Sequence, residues 1–206
     1  IPFLIRAGRA GLIPSRPGLT GLRGLMQTCA LMFWYYALIV TPFAMAASLS
    51  MLEPIFASII AILILREKAS LARWAVVIFG LAGSLIIIRP GFGALSLGAL
   101  AAVSSAMFWA VFLIIGKVQT RDDSLISVVA YPTLLVVPMA LIPASFFWQW
   151  PTPEQYMWLL LTGILSSTAN PMFTKAYQIG EVTAVAPMSF ARMIFAAIAG
   201  YLFFSE

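Results

Sequence analysis

Two charged residues of opposite sign are the strongest candidates for chemistry in this 206-residue chain. Glu53 and Arg192 each stand within a long apolar stretch, and they lie 139 positions apart. A charge at the centre of a bilayer costs roughly 2.5–3.5 kcal/mol on insertion scales, so it normally faces a water-filled cavity or a partner. Arg192 could hold a carboxylate or phosphate, and Glu53 could hold an amine or sulfonium or take up a proton. The alternative is a structural salt bridge. A bridge that a ligand breaks would serve as a gate, so both interpretations can hold together.

Prolines beside these charges predict breaks in the helices that carry them. Pro54 follows Glu53 directly, and Pro187 stands five positions before Arg192. Proline has no N–H, so the carbonyl four residues earlier, Ser50 in the first case, loses its helical partner and can face a cavity.

Other polar and aromatic residues are weaker candidates. Asn170 could bond a ligand, although a kink at Pro171 and packing are the favoured interpretation. The aromatic run 33–36 offers π faces to a cation. Four consecutive residues cannot share one helix face, so at most one or two, with Tyr35 as our candidate, can line a cavity. Anchoring at the membrane interface is the favoured use of the run. Glu67 and Glu206 end their helices beside polar loops, and we expect them to be structural locks or gate contacts.

The composition predicts an all-α membrane protein with many spans. The chain is 62% hydrophobic and 9% charged, with a mean hydropathy of +1.01. About 20 apolar residues suffice for one helical span. We place seven spans at 24–42, 44–65, 72–88, 95–116, 124–147, 156–177 and 182–204.

Basic residues occur in alternating loops and therefore predict the orientation of the chain. Loops rich in Lys and Arg stay on the cytoplasmic side, so the net charge of +5 is a topology signal and gives no reason to expect nucleic acid. The residues placed in cytoplasmic loops are Arg6, Arg9, Arg16, Arg23, Arg66, Lys68, Arg73, Lys117, Arg121 and Lys175.

An internal repeat relates two parts of the sequence. Residues 37–67 align without a gap onto residues 176–206, with nine identities in 31 positions that include the pairs Ser50/Ser189 and Glu67/Glu206. We count Ser50 and Ser189 among the candidate substrate-binding residues. Repeats of this kind are typical of transporters built from two related halves around a central site. We expect a piece, truncated at both ends, of a ten-span protein. Residues 1–93 would be the remainder of the first five-helix repeat, and residues 94–206 the second, inverted repeat without its last span.

Several classes of function are not supported by the residue types. The chain has one cysteine and no histidine, and it lacks a nucleophile–base pair, a phosphate-binding Gly loop and any metal-ligand spacing. We therefore expect no enzyme activity, no cofactor and no metal.

Longer segments of the chain resemble a known family. The segments are RPGL and LRGL near the start, FWYYALIVTPFAMAASLSMLEPIF and LREKASLARWAVVIFGLAGSLIIIRPGFG in the first half, and SLGALAAVSSAMFWAVFLIIGK and APMSFARMIFAAIAGYLFFSE in the second. They resemble EamA domains of the drug/metabolite transporter superfamily, in the branch that includes bacterial S-adenosylmethionine uptake transporters. One departure is Ser205, where the common ending is Phe-Gly-Glu. The resemblance implies a ten-span carrier of the inner membrane without a bound cofactor.

These observations together predict a secondary-active carrier of small polar metabolites, S-adenosylmethionine-like or zwitterionic substrates among them, in a bacterial cytoplasmic membrane. The mechanism would be alternating access around a midplane site. Expected partners are the substrate, the lipid bilayer and, as an option, a second copy in a homodimer. The alternatives are an amino-acid or drug exporter of the same fold and a non-transporting membrane scaffold.

Overall fold

The computed structural model is helical throughout the part of the chain that it describes, namely residues 14–67, 96–146 and 148–191 with six positions between 71 and 82. The predicted all-α class is confirmed. Most of the third predicted span and residues 192–204 of the seventh lie outside the described residues. The helices are α1 (Pro17–Val40), α2 (Phe43–Ser50), α3 (Glu53–Ile60, continued by a π-helix Ala61–Leu65), α4 (Leu97–Gln119), α5 (Leu125–Phe146), α6 (Pro153–Ile179) and α7 (Val182–Val185, continued by a 3-10 helix Ala186–Phe190).

Helix length and composition fit a membrane. Within the described residues, three helical stretches are long and apolar enough to cross a bilayer, namely Met45–Leu65 and the helices α4 and α5. The other two long helices, α1 and α6, have 24 and 27 residues, which is also sufficient to span about 30 Å.

The basic segments of the chain come together at one end of the helices, which we call the basic end; the opposite end is the far end. Arg16 before α1 forms an ion pair of 2.9 Å with Asp122 after α4. The backbone N–H of Ser15 donates to Asp123 at 2.7 Å, and Lys117 on the last turn of α4 donates to the Gly180 carbonyl after α6. The basic end is the side that the loop charges predict to be cytoplasmic.

One predicted loop charge is in fact buried. The sequence places Arg23 outside the first span, but the residue lies in the second turn of α1 and is 2% exposed. Its guanidinium donates to the Val128 carbonyl on α5 and lies 4.3 Å from the ring centre of Phe112 on α4. The prediction is wrong because the bundle itself supplies an acceptor and a π face, which replace the water that a loop would offer.

Helix boundaries recur at the offset of the sequence repeat. The helices α1 and α6 end at Val40 and Ile179, and α2 and α7 begin at Phe43 and Val182. Each pair is 139 residues apart. The opposite orientation of the two repeats in the membrane stays a prediction.

Two clusters of mostly small residues are buried inside the bundle, one toward each end of the helices. The helix α4 places the small residues Gly98, Ala102, Ala106 and Ala110 on one buried face, and small residues at four-residue spacing let neighbouring helices approach closely. The far-end cluster consists of Ala37, Ala46, Ala101 and Ala102. The basic-end cluster consists of Ala57, Ala61, Ala110, Ile114, Tyr177, Val182 and Ala186.

Candidate functional site

A cavity of about 280 Å³ lies between these two clusters, near the middle of the helices. This volume is close to the lower end of ligand pockets, about 300–1,000 Å³. It is lined by Ala30, Leu31 and Trp34 of α1, Ser50 and Glu53 of the broken helix α2–α3, and Ser105, Ala106 and Trp109 of α4.

Glu53 contributes the carboxylate of this cavity and is 7% exposed. The helix that carries it is interrupted at Met51 and Leu52 and resumes with Glu53 as the first residue of α3. The predicted break beside Pro54 is therefore confirmed. Pro54 itself lies in the first turn of α3, where a missing N–H removes no helical hydrogen bond.

Two indole rings form the aromatic part of the cavity. Trp34 belongs to the aromatic run 33–36 that the sequence singles out, whereas Trp109 was not among the candidates. Trp34 lines the cavity, whereas the predicted Tyr35 is 60% exposed and does not. Trp109 enters from α4 and stacks on Phe112 with ring centres 4.9 Å apart. The sequence does contain a pattern that would have selected Trp34. Ala30, Trp34 and Ala37 are spaced i, i+4, i+7, and this spacing predicts one buried helix face.

The serine hydroxyls of the site are already engaged as donors. Ser50 donates to the Ala47 carbonyl at 2.6 Å, and Ser105 donates to the Ala30 carbonyl at 2.8 Å. At the cavity wall they can therefore only accept hydrogen bonds. Ser189, the repeat counterpart of Ser50, makes the corresponding bond to the Ala186 carbonyl at 2.7 Å, and it is buried outside the cavity lining.

The structure does not bring every predicted site residue to this cavity. Arg192 and Glu206 lie outside the described residues. Asn170 is partly buried on α6 and does not line the cavity, and α6 continues as a helix through Pro171. Pro187 lies in the 3-10 helix that follows α7.

Glu67 makes a second polar contact, at the basic end. Its carboxylate accepts hydrogen bonds from the backbone N–H groups of Val182 and Thr183, both at 3.0 Å, and from the Thr183 hydroxyl at 3.1 Å. The residue before it, Arg66, has a left-handed backbone with φ 55°, which turns the chain out of the π-helix. Glu67 thus caps the start of α7 from a different helix.

Comparison with known proteins identifies the family once this geometry is described. The model of the EamA-like transporter family matches residues 1–89 and again residues 96–206. The chain belongs to the EamA-like transporter family. The expected transporter class is therefore confirmed, because the family is one of transporters and not of enzymes. The chain is a multi-pass membrane protein with a small-molecule substrate.

Curated relatives of this EamA-like protein cover its whole length. A riboflavin transporter of Vibrio cholerae is 33% identical over 208 residues, which are 99% of this chain and 70% of the relative. An S-adenosylmethionine uptake transporter of Rickettsia bellii is 30% identical over 206 residues, which are 100% of this chain and 71% of the relative.

A solved crystal structure shows the same fold as the EamA-like chain. Its TM-score is 0.79 at 21% identity, and the match covers 98% of this chain and 72% of the other. At this identity, the likeness establishes the fold alone.

Proposed function

We propose that this protein is a secondary-active transporter that moves small metabolites with a flat aromatic part across a bacterial cytoplasmic membrane by alternating access. The cavity at Glu53 would be its substrate site. The observation that carries the proposal is a polar and aromatic cavity at mid-length, with a cluster of mostly small buried residues on either side. Small rocking movements of two helix sets could separate one cluster while the other stays packed.

The lining supports a substrate that combines a ring with hydrogen-bond donors or a positive charge. Trp34 and Trp109 supply π faces, and Glu53 supplies a carboxylate. The serine hydroxyls add acceptors to the same wall. Riboflavin and S-adenosylmethionine, after which the relatives are named, each join a flat heteroaromatic system to a polar chain. Arg192, the repeat counterpart of Glu53, would hold an anionic group of a zwitterionic substrate.

Two alternatives differ in how they account for the cavity. An exporter of amino acids or drug-like compounds would use the same site in the opposite direction. Net movement of substrate from the basic end to the far end would favour this alternative. A membrane scaffold needs no cavity, so the described site and the family both argue against that function.

The test measures transport by the complete protein in liposomes with radiolabelled riboflavin and S-adenosylmethionine. Loss of one aromatic contact is worth about 0.5–1.5 kcal/mol beyond area burial, or roughly 2- to 10-fold in affinity. We therefore expect Trp34→Ala and Trp109→Ala each to raise KM by about this factor or more. The matched control is Trp148→Ala, because Trp148 is 51% exposed and stacks edge-on with Trp150 away from the cavity. If all three variants transport alike, the substrate site lies elsewhere.

A further inference from the structure

We infer that the Glu67 contact is a clasp that holds the basic end of the transporter closed, so that the described conformation is shut toward the side predicted to be cytoplasmic. The inference rests on the proposed alternating-access function and assigns a gating residue to it. The clasp is defined by the Glu67 carboxylate, the backbone N–H groups of Val182 and Thr183, and the Thr183 hydroxyl.

The clasp joins the two halves that must move apart. Glu67 follows the helix that begins at the cavity residue Glu53, whereas Val182 and Thr183 open the helical segment that contains Ser189. The first N–H groups of a helix have no partner within it. The local N-cap residue, Glu181, makes no side-chain capping bond to α7, so Glu67 supplies this acceptor from the other half. A carboxylate that accepts backbone N–H donors forms charge-assisted hydrogen bonds, which are stronger than neutral ones.

The basic-end cluster lies directly between the clasp and the cavity. Ala57 and Ala61 follow Glu53 by one and two helical turns, and both are fully buried. Val182 belongs to the cluster through its side chain and to the clasp through its N–H group. Movement of α7 away from Glu67 would therefore separate the cluster and open a path from the cavity to the basic end.

Arg66 turns the chain at the point where Glu67 leaves its helix. It is the C-cap of the π-helix Ala61–Leu65 and has a left-handed backbone with φ 55°, which is a common way for a helix to end. At the same end of the bundle, Lys117 of α4 donates to the Gly180 carbonyl two residues before Val182, and this bond ties the start of α7 to α4.

The experiment measures how fast a membrane-impermeant maleimide labels single reporter cysteines from the basic side of membrane vesicles that contain the complete protein. All variants carry Cys29→Ser. The reporter Ala57→Cys lies in the basic-end cluster, and the reporter Ala102→Cys lies in the far-end cluster. The labelling assay needs no substrate. A negative result here therefore does not contradict the proposed substrate site at Trp34 and Trp109, and a negative transport test does not contradict the clasp.

We expect Glu67→Gln and Glu67→Ala to raise the labelling rate of Ala57→Cys by about tenfold or more, because a charged acceptor of backbone donors is lost. Thr183→Val removes the hydroxyl bond and keeps both N–H bonds, so it should give a smaller rise and serves if the Glu67 variants do not fold. The control Glu154→Gln neutralises an exposed carboxylate at the start of α6 and should change nothing. An unchanged rate in the Glu67 and Thr183 variants, or an equal rise at Ala102→Cys, would overturn the inference.

Discussion

Replacement of Gly98 by alanine is the sharpest test of the helix packing at the far end. A Cβ atom at position 98 would lie 1.7 Å from the Thr41 hydroxyl oxygen, 2.7 Å from a Val40 methyl and 3.1 Å from the Thr41 Cβ. Non-bonded carbon atoms pack best at about 3.5–4.0 Å, so α1 and α4 must separate or both side chains must rotate. Overpacking of this kind lowers the free energy of unfolding by about 1–3 kcal/mol, whereas the higher helix propensity of alanine over glycine raises it by at most about 1 kcal/mol.

The net expectation for Gly98→Ala is a loss of about 1–2 kcal/mol, or a fall in the unfolding midpoint of about 2–8 °C for a chain of this size. Thermal unfolding in detergent, followed by tryptophan fluorescence, would measure it. The second variant needed for the test is Thr41→Ala, made alone and together with Gly98→Ala. The Thr41 hydroxyl is buried without a hydrogen-bond partner among the described residues, so its removal alone should cost little. The double variant should recover the part of the loss that the 1.7 Å contact causes, while the contact with the Val40 methyl remains. A midpoint that rises in Gly98→Ala, or a double variant that is no better than the single one, would refute the reasoning.

Two further predictions concern buried charges. Gly116→Ala should lower the unfolding midpoint, because its Cβ would lie 2.6 Å from a guanidinium nitrogen of the buried Arg23 and overpacking costs about 1–3 kcal/mol; an effect that persists in an Arg23→Ala background would contradict this cause. If protons drive transport, Glu53→Gln should abolish accumulation under a pH gradient and leave substrate exchange measurable in liposomes. A Gln variant that still accumulates substrate would show that Glu53 is not the coupling acid.

The positions of the helices were predictable because long apolar stretches set them. The predicted span 124–147 differs from the observed Leu125–Phe146 by one residue at each end. The predicted span 44–65 covers α2, α3 and the π-helix, apart from the first residue of α2, and did not include the interruption between α2 and α3. The start of α1 at Pro17 was placed too late, at position 24. A charged residue such as Arg23 is expected in a loop when its partners in the bundle are not known. Those partners, the Val128 carbonyl and the Phe112 ring, are more than 80 positions away along the chain and carry no charge.

The site could be predicted only where residue types are unusual for their surroundings. A carboxylate in an apolar stretch marks Glu53, but Trp109 stands among ordinary apolar residues. The choice between Trp34 and Tyr35 depends on the rotation of α1, which packing against α4 decides. Sequence could suggest that Glu67 is a lock, but its partners at Val182 and Thr183 are mainly backbone N–H groups, which no residue type reveals.

The helix break explains how a carboxylate can occupy the middle of the bundle. A continuous helix would place Glu53 at its centre, at a cost of roughly 2.5–3.5 kcal/mol on insertion scales. The interruption at Met51 and Leu52 instead makes Glu53 the first residue of α3, where the helix dipole favours a negative charge by about 0.3–1 kcal/mol, and by up to about 2 kcal/mol in partly buried sites. The dipole alone therefore offsets only part of the cost. The rest must come from polar contacts or from hydration in the cavity, so the carboxylate and the cavity depend on each other.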